Sequence, residues 1–341
     1  MAPSRRQPLL VRPGARFVCH ADGVCCSDVH ALGPISPLEL VPLRRLLADP
    51  AVHEPAVKGL AFRTAAGGCV FLREDHLCRV HAELGLSLKP ATCRRYPFNL
   101  VATPQGLRVV TPHRCPCRTL GPRPLITVES VAAEIVIAGV ALDPDYEVSG
   151  DLRVSRNQRV SFAAWQNIEA SRLAQLAAAP DPATALQDAP WPELNSMTWQ
   201  QLGERWSHAN DVSSFEVAKS HMGHAIAAAH NGGSIPKIMR PWARFFDAAE
   251  QRVMNAHQLP QQMFGDWLAD EIWSLQWTLF GSFARGQSDL ATRLNIAQRL
   301  ADAFEAQGLP CERAVAEALL VVDVVTHSEL WFDVVRAMKE P

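Results

Sequence analysis

The chain has 341 residues, 48% of them hydrophobic and 20% charged, with a formal net charge of −2. That length suits one large domain or two ordinary ones, and it can bury a core without metal or disulfide staples. The longest apolar runs, 131–142 and 314–325, are interrupted by Glu134, Glu317 and Asp323, so no stretch reaches the ~20 apolar residues of a membrane span. The only apolar part of the first residues, Pro8 to Val11, is too short for a secretory signal. The expected setting is cytoplasmic and thiol-reducing.

Taken in chain order, Ser36-Pro37-Leu38-Glu39 predicts a helix start. Ser36 caps, Pro37 suits the first helical position and Glu39 completes a capping box. The helix should cover 37–48 with Leu38, Val41 and Leu46 inward. Residues 69–72 read as a short buried strand, and Asp75 as the cap of a helical turn over 77–84 that Gly85 ends. Residues 100–103 and 107–111 flank Pro104-Gln105-Gly106 as a β-hairpin. The Pro- and Gly-rich stretch 121–124 separates a domain over 1–124 from one over 125–341. Beyond it the pattern predicts a helix over 128–142 and a second hairpin from 146–149 and 152–155. Helices follow over 162–178, 194–208, 214–230, 241–257, 262–280, 289–307 and 311–338, their Trp, Leu and Ala at helical spacing. The expected fold is mainly α: a small loop-rich cysteine-cluster domain with short β elements, then an α-helical domain.

Charge and cysteine content divide at the same place. Residues 1–124 carry 17 Lys and Arg against 8 Asp and Glu, and the remainder carries 16 against 27. Eight of the nine cysteines lie between Cys19 and Cys117. They fall in four blocks: Cys19 with Cys25-Cys26, Cys69 with Cys78, Cys93, and Cys115-Pro116-Cys117. Reduced cysteines at that density point to metal or redox chemistry rather than disulfides. Ligands from several loops suit tetrahedral coordination, which one short peptide rarely supplies. Four thiolates around a divalent ion leave about −2, which Arg79, Arg94, Arg95, Arg114 and Arg118 can offset. Arg44, Arg45 and Arg123 read as solvated surface, and Cys311 as a thiol with no metal role. Adjacent Cys25 and Cys26 either serve different sites or are brought to one by a turn. Gly23 lets the backbone turn so that N–H groups can face sulfur.

These blocks resemble the cysteine-cluster family of zinc- or iron-chelating proteins, whose signature is Cys-x-x-Cys-x-x-Cys-Cys. The resemblance runs over about 17–117, through Cys19, Cys25-Cys26, Cys69-Val-Phe-Leu, Cys78-Arg-Val-His81 and Lys89-Pro-Ala-Thr-Cys93-Arg-Arg-Tyr-Pro97. It departs at Asp22, where the signature has a second cysteine, and at Lys89, where it has Arg. A metal set of Cys19, Asp22, Cys25, Cys26, Cys69, Cys78, Cys93, Cys115 and Cys117 is what the resemblance implies. Asp22 either replaces a thiolate directly or only starts the turn before Gly23, with Cys117 supplying the thiolate instead. The chain's length is similar to that of the larger members, which resemble flagellin lysine-N-methylases. That likeness implies an iron–sulfur cluster, [4Fe-4S] in type, S-adenosylmethionine as methyl donor and a lysine-bearing, flagellin-like protein substrate. The alternative is a non-catalytic protein that chelates or senses zinc or iron.

The spacings match neither paired zinc knuckles nor ferredoxin runs, and no glycine-rich dinucleotide loop occurs. His221, His224 and His230 share a predicted helix, but without a Glu-x-x-His partner they read as core or surface histidines. His208 and His257 look scattered. The tryptophans read as helix-interface fillers. The acidic helical half argues against nucleic acid as a partner.

Overall fold

The computed structural model describes residues 7–137, 140–141, 143–186, 190–208, 213–253 and 258–340. The fold is mainly α, with strands concentrated in the first 160 residues. The hairpin at 100–111 is present as Asn99–Thr103 and Gly106–Val110, with Leu100 opposite Val109. Leu9–Val11 adds parallel to one side and Tyr146–Glu147 parallel to the other, closing a four-stranded sheet. The second expected hairpin is therefore corrected. Asp145 exchanges hydrogen bonds with Leu100, accepting from its N–H and donating its own to the Leu100 carbonyl. This draws Tyr146 to the sheet, and Leu152–Ser155 pairs instead with Gln158–Val160.

The helical part is built from Phe162–Ala178, Trp199–Trp206, Ser214–Asn231, Ala243–Glu250, Pro260–Ser274, Phe283–Ala306, Cys311–Thr326 and Glu329–Ala337. Every residue from Arg313 to Thr326 is buried, so this helix is the central one. Trp165, Trp242, Trp267 and Trp331 are fully enclosed around it, as helix-interface fillers. The helices Trp199–Trp206 and Ser214–Asn231 cross closely. A Cβ on Gly223 would lie 2.3 Å from the Ser207 nitrogen, and one on Gly203 2.6 Å from the Ala227 nitrogen.

Several expected boundaries move, each for a local reason. The first helix is only Pro37–Leu43, with Pro42 inside it. Leu40 and Leu43 face the core, while Leu38 is 82% and Val41 60% exposed. Of 69–72 only Cys69 belongs to a strand, because Leu72 N–H turns back to the Cys69 carbonyl. The helix after Thr127 stops at Ile135, where a β-branched run favours extended backbone, and short strands Val136–Ile137 and Val140–Ala141 follow. Residues 138, 139 and 142 lie outside the described residues. The helix expected over 262–280 ends at Ser274, where Leu275 adopts φ 58°. The span 311–338 breaks at Ser328, whose hydroxyl donates to the Val325 carbonyl and competes with the helix. Trp199–Trp206 is shorter than expected, starting at a Thr198–Gln201 capping box. Phe283–Ala306 starts earlier, at Ser282. Of 241–257 the helix covers Ala243–Glu250, and residues 254–257, with His257, lie outside the described residues.

The opposite charges of the two segments meet inside the molecule. Arg108 makes a bidentate pair with Glu169 at 2.6 and 2.8 Å and lies over Trp273. Arg12 and Arg118 both bind Asp266 and Asp270. His113 donates its backbone N–H to Asp323 and places its Nε2 2.9 Å from Asp270. Arg123, expected on the surface, is only 5% exposed, and burial lowers its pKa to about 10. One hydrophobic cluster joins Val24, Val110, Cys115 and Leu120 to Trp242, Trp267 and Val322. No helix of the described residues is long and apolar enough to cross a membrane.

Candidate metal centre

All nine expected ligands are described, and all eight cysteines among them are free thiols. One group of them is formed by Asp22, Cys115 and Cys117, all buried, each offering a ligand atom within 4.8 Å of the others. Cys117 Sγ lies 2.9 Å from Asp22 Oδ2. Cys19 lies at the edge of this group, hydrogen-bonded to Cys117. The local sequence explains the placement. Pro116 opens a single helical turn over Pro116–Thr119, with Cys115 as its N-cap and Cys117 in its first turn. Asp22 starts the turn and also faces sulfur. Its Oδ1 accepts from Val24 N–H at 2.8 Å, starting a turn, while Oδ2 faces sulfur.

Gly23 is required for a different reason from the expected one. Its φ is 86°, and a Cβ there would sit 2.9 Å from the His76 carbonyl oxygen. The turn lets the loop press against His76, whose Nδ1 lies 2.7 Å from the Asp22 carbonyl. The N–H groups that do face sulfur come from other residues. His20 N–H donates to Cys117 Sγ at 3.0 Å, and Ala21 N–H to Cys19 Sγ at 3.4 Å.

The remaining five, Cys25, Cys26, Cys69, Cys78 and Cys93, lie on neighbouring loops, and no three of them bring ligand atoms within 4.8 Å of one another. The 3-10 turn Val24–Cys26 brings the adjacent sulfurs of Cys25 and Cys26 to 4.0 Å. A bridge between Ser27 and Gly68 sets Cys26 beside Cys69, and one between Leu72 and Cys78 folds the loop back. Cys93 comes from the short helix Ala91–Arg95. Cys26, Cys78 and Cys93 pack on the small core of Leu32, Ile35, Leu43, Phe62, Cys69 and Phe71.

The electrostatics follow from this crowding. Hydrogen bonding to Cys117 brings the Cys19 thiol down to about 6, and Cys117, between Cys115 and Cys19, is raised. Burial raises Cys69 and Cys115 to about 12 and Cys93 further still. Cys25 is raised by its bond to Cys26 and by burial. Cys19 is thus favoured as the thiolate, whereas Cys25, Cys69, Cys93, Cys115 and Cys117 are favoured as neutral thiols without a cation, a preference that a bound cation reverses. Burial works against the Lys89 charge, but Cys25, Cys78, Cys93 and Cys26 outweigh it and raise its pKa.

The arginines expected beside sulfur divide. Arg79 pairs with Glu83, Arg95 with Asp145, and Arg118 with Asp266 and Asp270. Arg94 and Arg114 keep a buried Nε with no partner. Two further residues were given no role from the sequence. Tyr96 hydroxyl donates to the Arg114 carbonyl and lies 3.1 Å from His30 Nε2. Arg252 donates to the carbonyls of His20 and Ala21, tying the Asp22 group to the helical body. The Tyr-Pro of the matched motif marks the first, while nothing local marks Arg252.

Outside the cysteines, Glu271, Asp323 and His327 also bring ligand atoms within 4.8 Å of one another. Arg293 already supplies a cation there, 2.7 Å from Glu271 and 3.6 Å from Asp323. Trp267 and the His113 backbone occupy the Asp323 oxygens. His221 is a core histidine, its Nε2 3.1 Å from the Met239 carbonyl and its ring against Trp242 and Phe304. His230 packs on Trp191. Cys311 is exposed. Two surface cavities are lined by Arg156, Asn195 and Arg285, and by Asn167, Ile168 and Arg172; neither includes a candidate ligand. Comparison with protein-family models, curated proteins and solved structures finds no match to the chain.

Proposed function

We propose that this is a metal-binding protein whose cysteine-rich segment holds zinc or iron in a structural role. The observation that carries the reading is the meeting of Cys19, Asp22, Cys115 and Cys117 from two distant parts of the chain. Three thiols and a carboxylate suit a borderline-soft divalent ion. All four donors come from protein, which is the closed set of a structural site rather than one that keeps a position for substrate. When bound, the metal supplies a fixed cross-link between residues 19–22 and 115–117.

The chain's own groups prepare that site. The N–H groups of His20 and Ala21 stabilise negative sulfur, and Val24 N–H holds the Asp22 carboxylate in place. Arg252 fixes the carbonyls on the other side of the same loop. The reading stops at the metal. The methylase expectation needs sites for a methyl donor and a lysine, and the candidate ligands and the two cavities give it no support. The test is anaerobic purification followed by metal and acid-labile sulfide analysis with an absorption spectrum. Stoichiometric zinc, or iron with sulfide and visible charge-transfer absorption, is expected. Metal-free protein that takes up neither ion on reduced anaerobic reconstitution overturns the reading.

A further inference from the structure

We propose that the cavity between the 152–160 hairpin and the C-terminal residues 337–340 is a binding site for the phosphate ester of a small hydroxylated molecule. It contains none of the candidate metal ligands and goes beyond the metal-binding reading. The cavity has a volume of about 390 Å³ and is lined by Arg156, Asn195, Arg285, Met338, Lys339 and Glu340, a size within the range of small-molecule sites. Separate stretches of chain meet there. Arg156 sits in the turn between Leu152–Ser155 and Gln158–Val160. Arg285 is the third residue of the helix Phe283–Ala306, and its N–H donates to the Ser282 cap. Asn195 is held against the C-terminal residues by its N–H bond to the Ala337 carbonyl at 2.9 Å, and Lys339 N–H donates to the Glu193 carbonyl at 2.8 Å.

The charge of this cavity runs against its surroundings. Residues 125–341 carry 16 Lys and Arg against 27 Asp and Glu, yet here the guanidinium groups of Arg153, Arg156 and Arg285 have one carboxylate, Glu340, among them. Glu340 Oε2 lies 3.3 Å from Arg153 and 3.8 Å from Arg285, loose beside the 2.6 Å of the Arg108–Glu169 pair. Arg156 is exposed and makes no ion pair among the described residues. Arg285 donates Nη1 to the Phe280 carbonyl and keeps a buried Nε with no partner. Lys339 is already held by Glu193 at 2.5 Å.

These groups define the ligand. Three guanidinium groups against one carboxylate match a phosphate monoester, which carries about −1.5 to −2 at pH 7, better than a single carboxylate. Guanidinium forks bind phosphate oxygens through paired N–H donors, and the positive end of the helix dipole adds to the field at Arg285. Glu340 supplies the other half of the recognition. Its Oε1 is buried and accepts no hydrogen bond among the described residues, and a buried acceptor left unsatisfied costs free energy. A ligand hydroxyl is the donor it lacks, and Asn195 offers a further amide donor and acceptor in the same lining.

The experiment is calorimetric titration of glycerol 3-phosphate, inorganic phosphate and glycerol into the full chain at low ionic strength, where exposed charges are least screened. Glycerol 3-phosphate should bind about tenfold tighter than inorganic phosphate, the worth of one hydrogen bond to a buried acceptor, and glycerol alone should give no binding heat. Arg156→Ala should weaken both anions about tenfold. Glu340→Ala should tighten inorganic phosphate and abolish the preference for glycerol 3-phosphate, a gain that a fold defect cannot imitate. Far-UV circular dichroism checks each variant, and the metal content of both should match the wild type. No binding of glycerol 3-phosphate at about 10 mM, or affinities that both variants leave unchanged, overturns the site. Equal affinity of the wild type for the two anions overturns its assignment to a hydroxylated ester.

Discussion

The two regions of this molecule solve the same problem with different materials. The helical region buries Trp165, Trp242, Trp267, Trp331 and a wholly enclosed central helix. Large aromatic burial and regular backbone hydrogen bonding hold most of it together. The cysteine region has a small core, two- to five-residue strands and turns between its thiols. Short elements bury little apolar surface, so packing alone offsets less of the entropy of ordering them. The comparison teaches that the second region draws on its attachment to the first, and, on the proposed function, on a metal held by its thiols.

The attachment gives the largest expected effect. Asp270 is buried among Arg12, Arg118 and His113, and these partners hold its pKa well below the carboxylate range against its own burial. Asp270→Ala leaves two buried guanidinium groups short of a partner. A loss of about 3–5 kcal/mol is expected, measured by chemical denaturation followed through tryptophan fluorescence. An unchanged midpoint would show that the ion pairs do not join the regions.

Metal removal should separate the regions most visibly. In reduced, anaerobic protein stripped of metal, amides of 17–117 should exchange about 100-fold faster, equivalent to losing about 2.7 kcal/mol of linkage at a hundred times Kd. Amides of 314–325 should be little changed. Equal acceleration in both segments, by mass-spectrometric hydrogen exchange, would break the comparison.

Acid should act on the helical region through His221. Burial holds its pKa at about 4, below the ordinary 6.5. The unfolded chain takes up a proton that the folded one refuses, so stability is full above pH 6.5 and falls as pH drops toward 4. Between pH 7 and 5 this amounts to about 2 kcal/mol. His113 and His30, also lowered by burial, act in the same direction. His221→Gln should flatten the pH dependence by that amount in melts across this range, and an unaltered slope would contradict it.

Smaller effects sharpen the picture. Gly23→Ala places a methyl against the His76 carbonyl at a left-handed φ and should cost about 1–2 kcal/mol, with metal retention falling in parallel on gel filtration. Cys311→Ser, at an exposed position, should change stability by less than about 0.5 kcal/mol and leave the metal count untouched.

Amphipathic spacing and caps made most of the fold legible. The Ser36–Glu39 box starts its helix as read, and the helices expected from 162 and 214 begin there, behind the Ser161 and Ser213 caps, because capping is satisfied within four residues. The Leu100–Val109 hairpin was legible for the same reason: its turn is local. Tyr146 was misplaced because its strand partner is more than forty residues away, at Val101. Leu38 and Val41 were misread because the inward face of a two-turn helix is chosen by what it meets, here through Leu40 and Leu43.

The sequence by itself determined which atoms could bind metal: eight thiols in four blocks, with Asp22 at the position of a ninth donor. Donor identity is a property of the residue and survives any fold. Tertiary structure alone decided how those donors are grouped. Cys19 meets Cys117, about a hundred residues on, and Ser27, next to Cys26, pairs with Gly68, next to Cys69, through loop closures that no local pattern encodes. It also decided that the basic residues Arg12, Arg108 and Arg118 face Asp266, Asp270 and Glu169 rather than sulfur. Opposite charges excluded from water require close partners, and only the packed chain settles which ones are within reach.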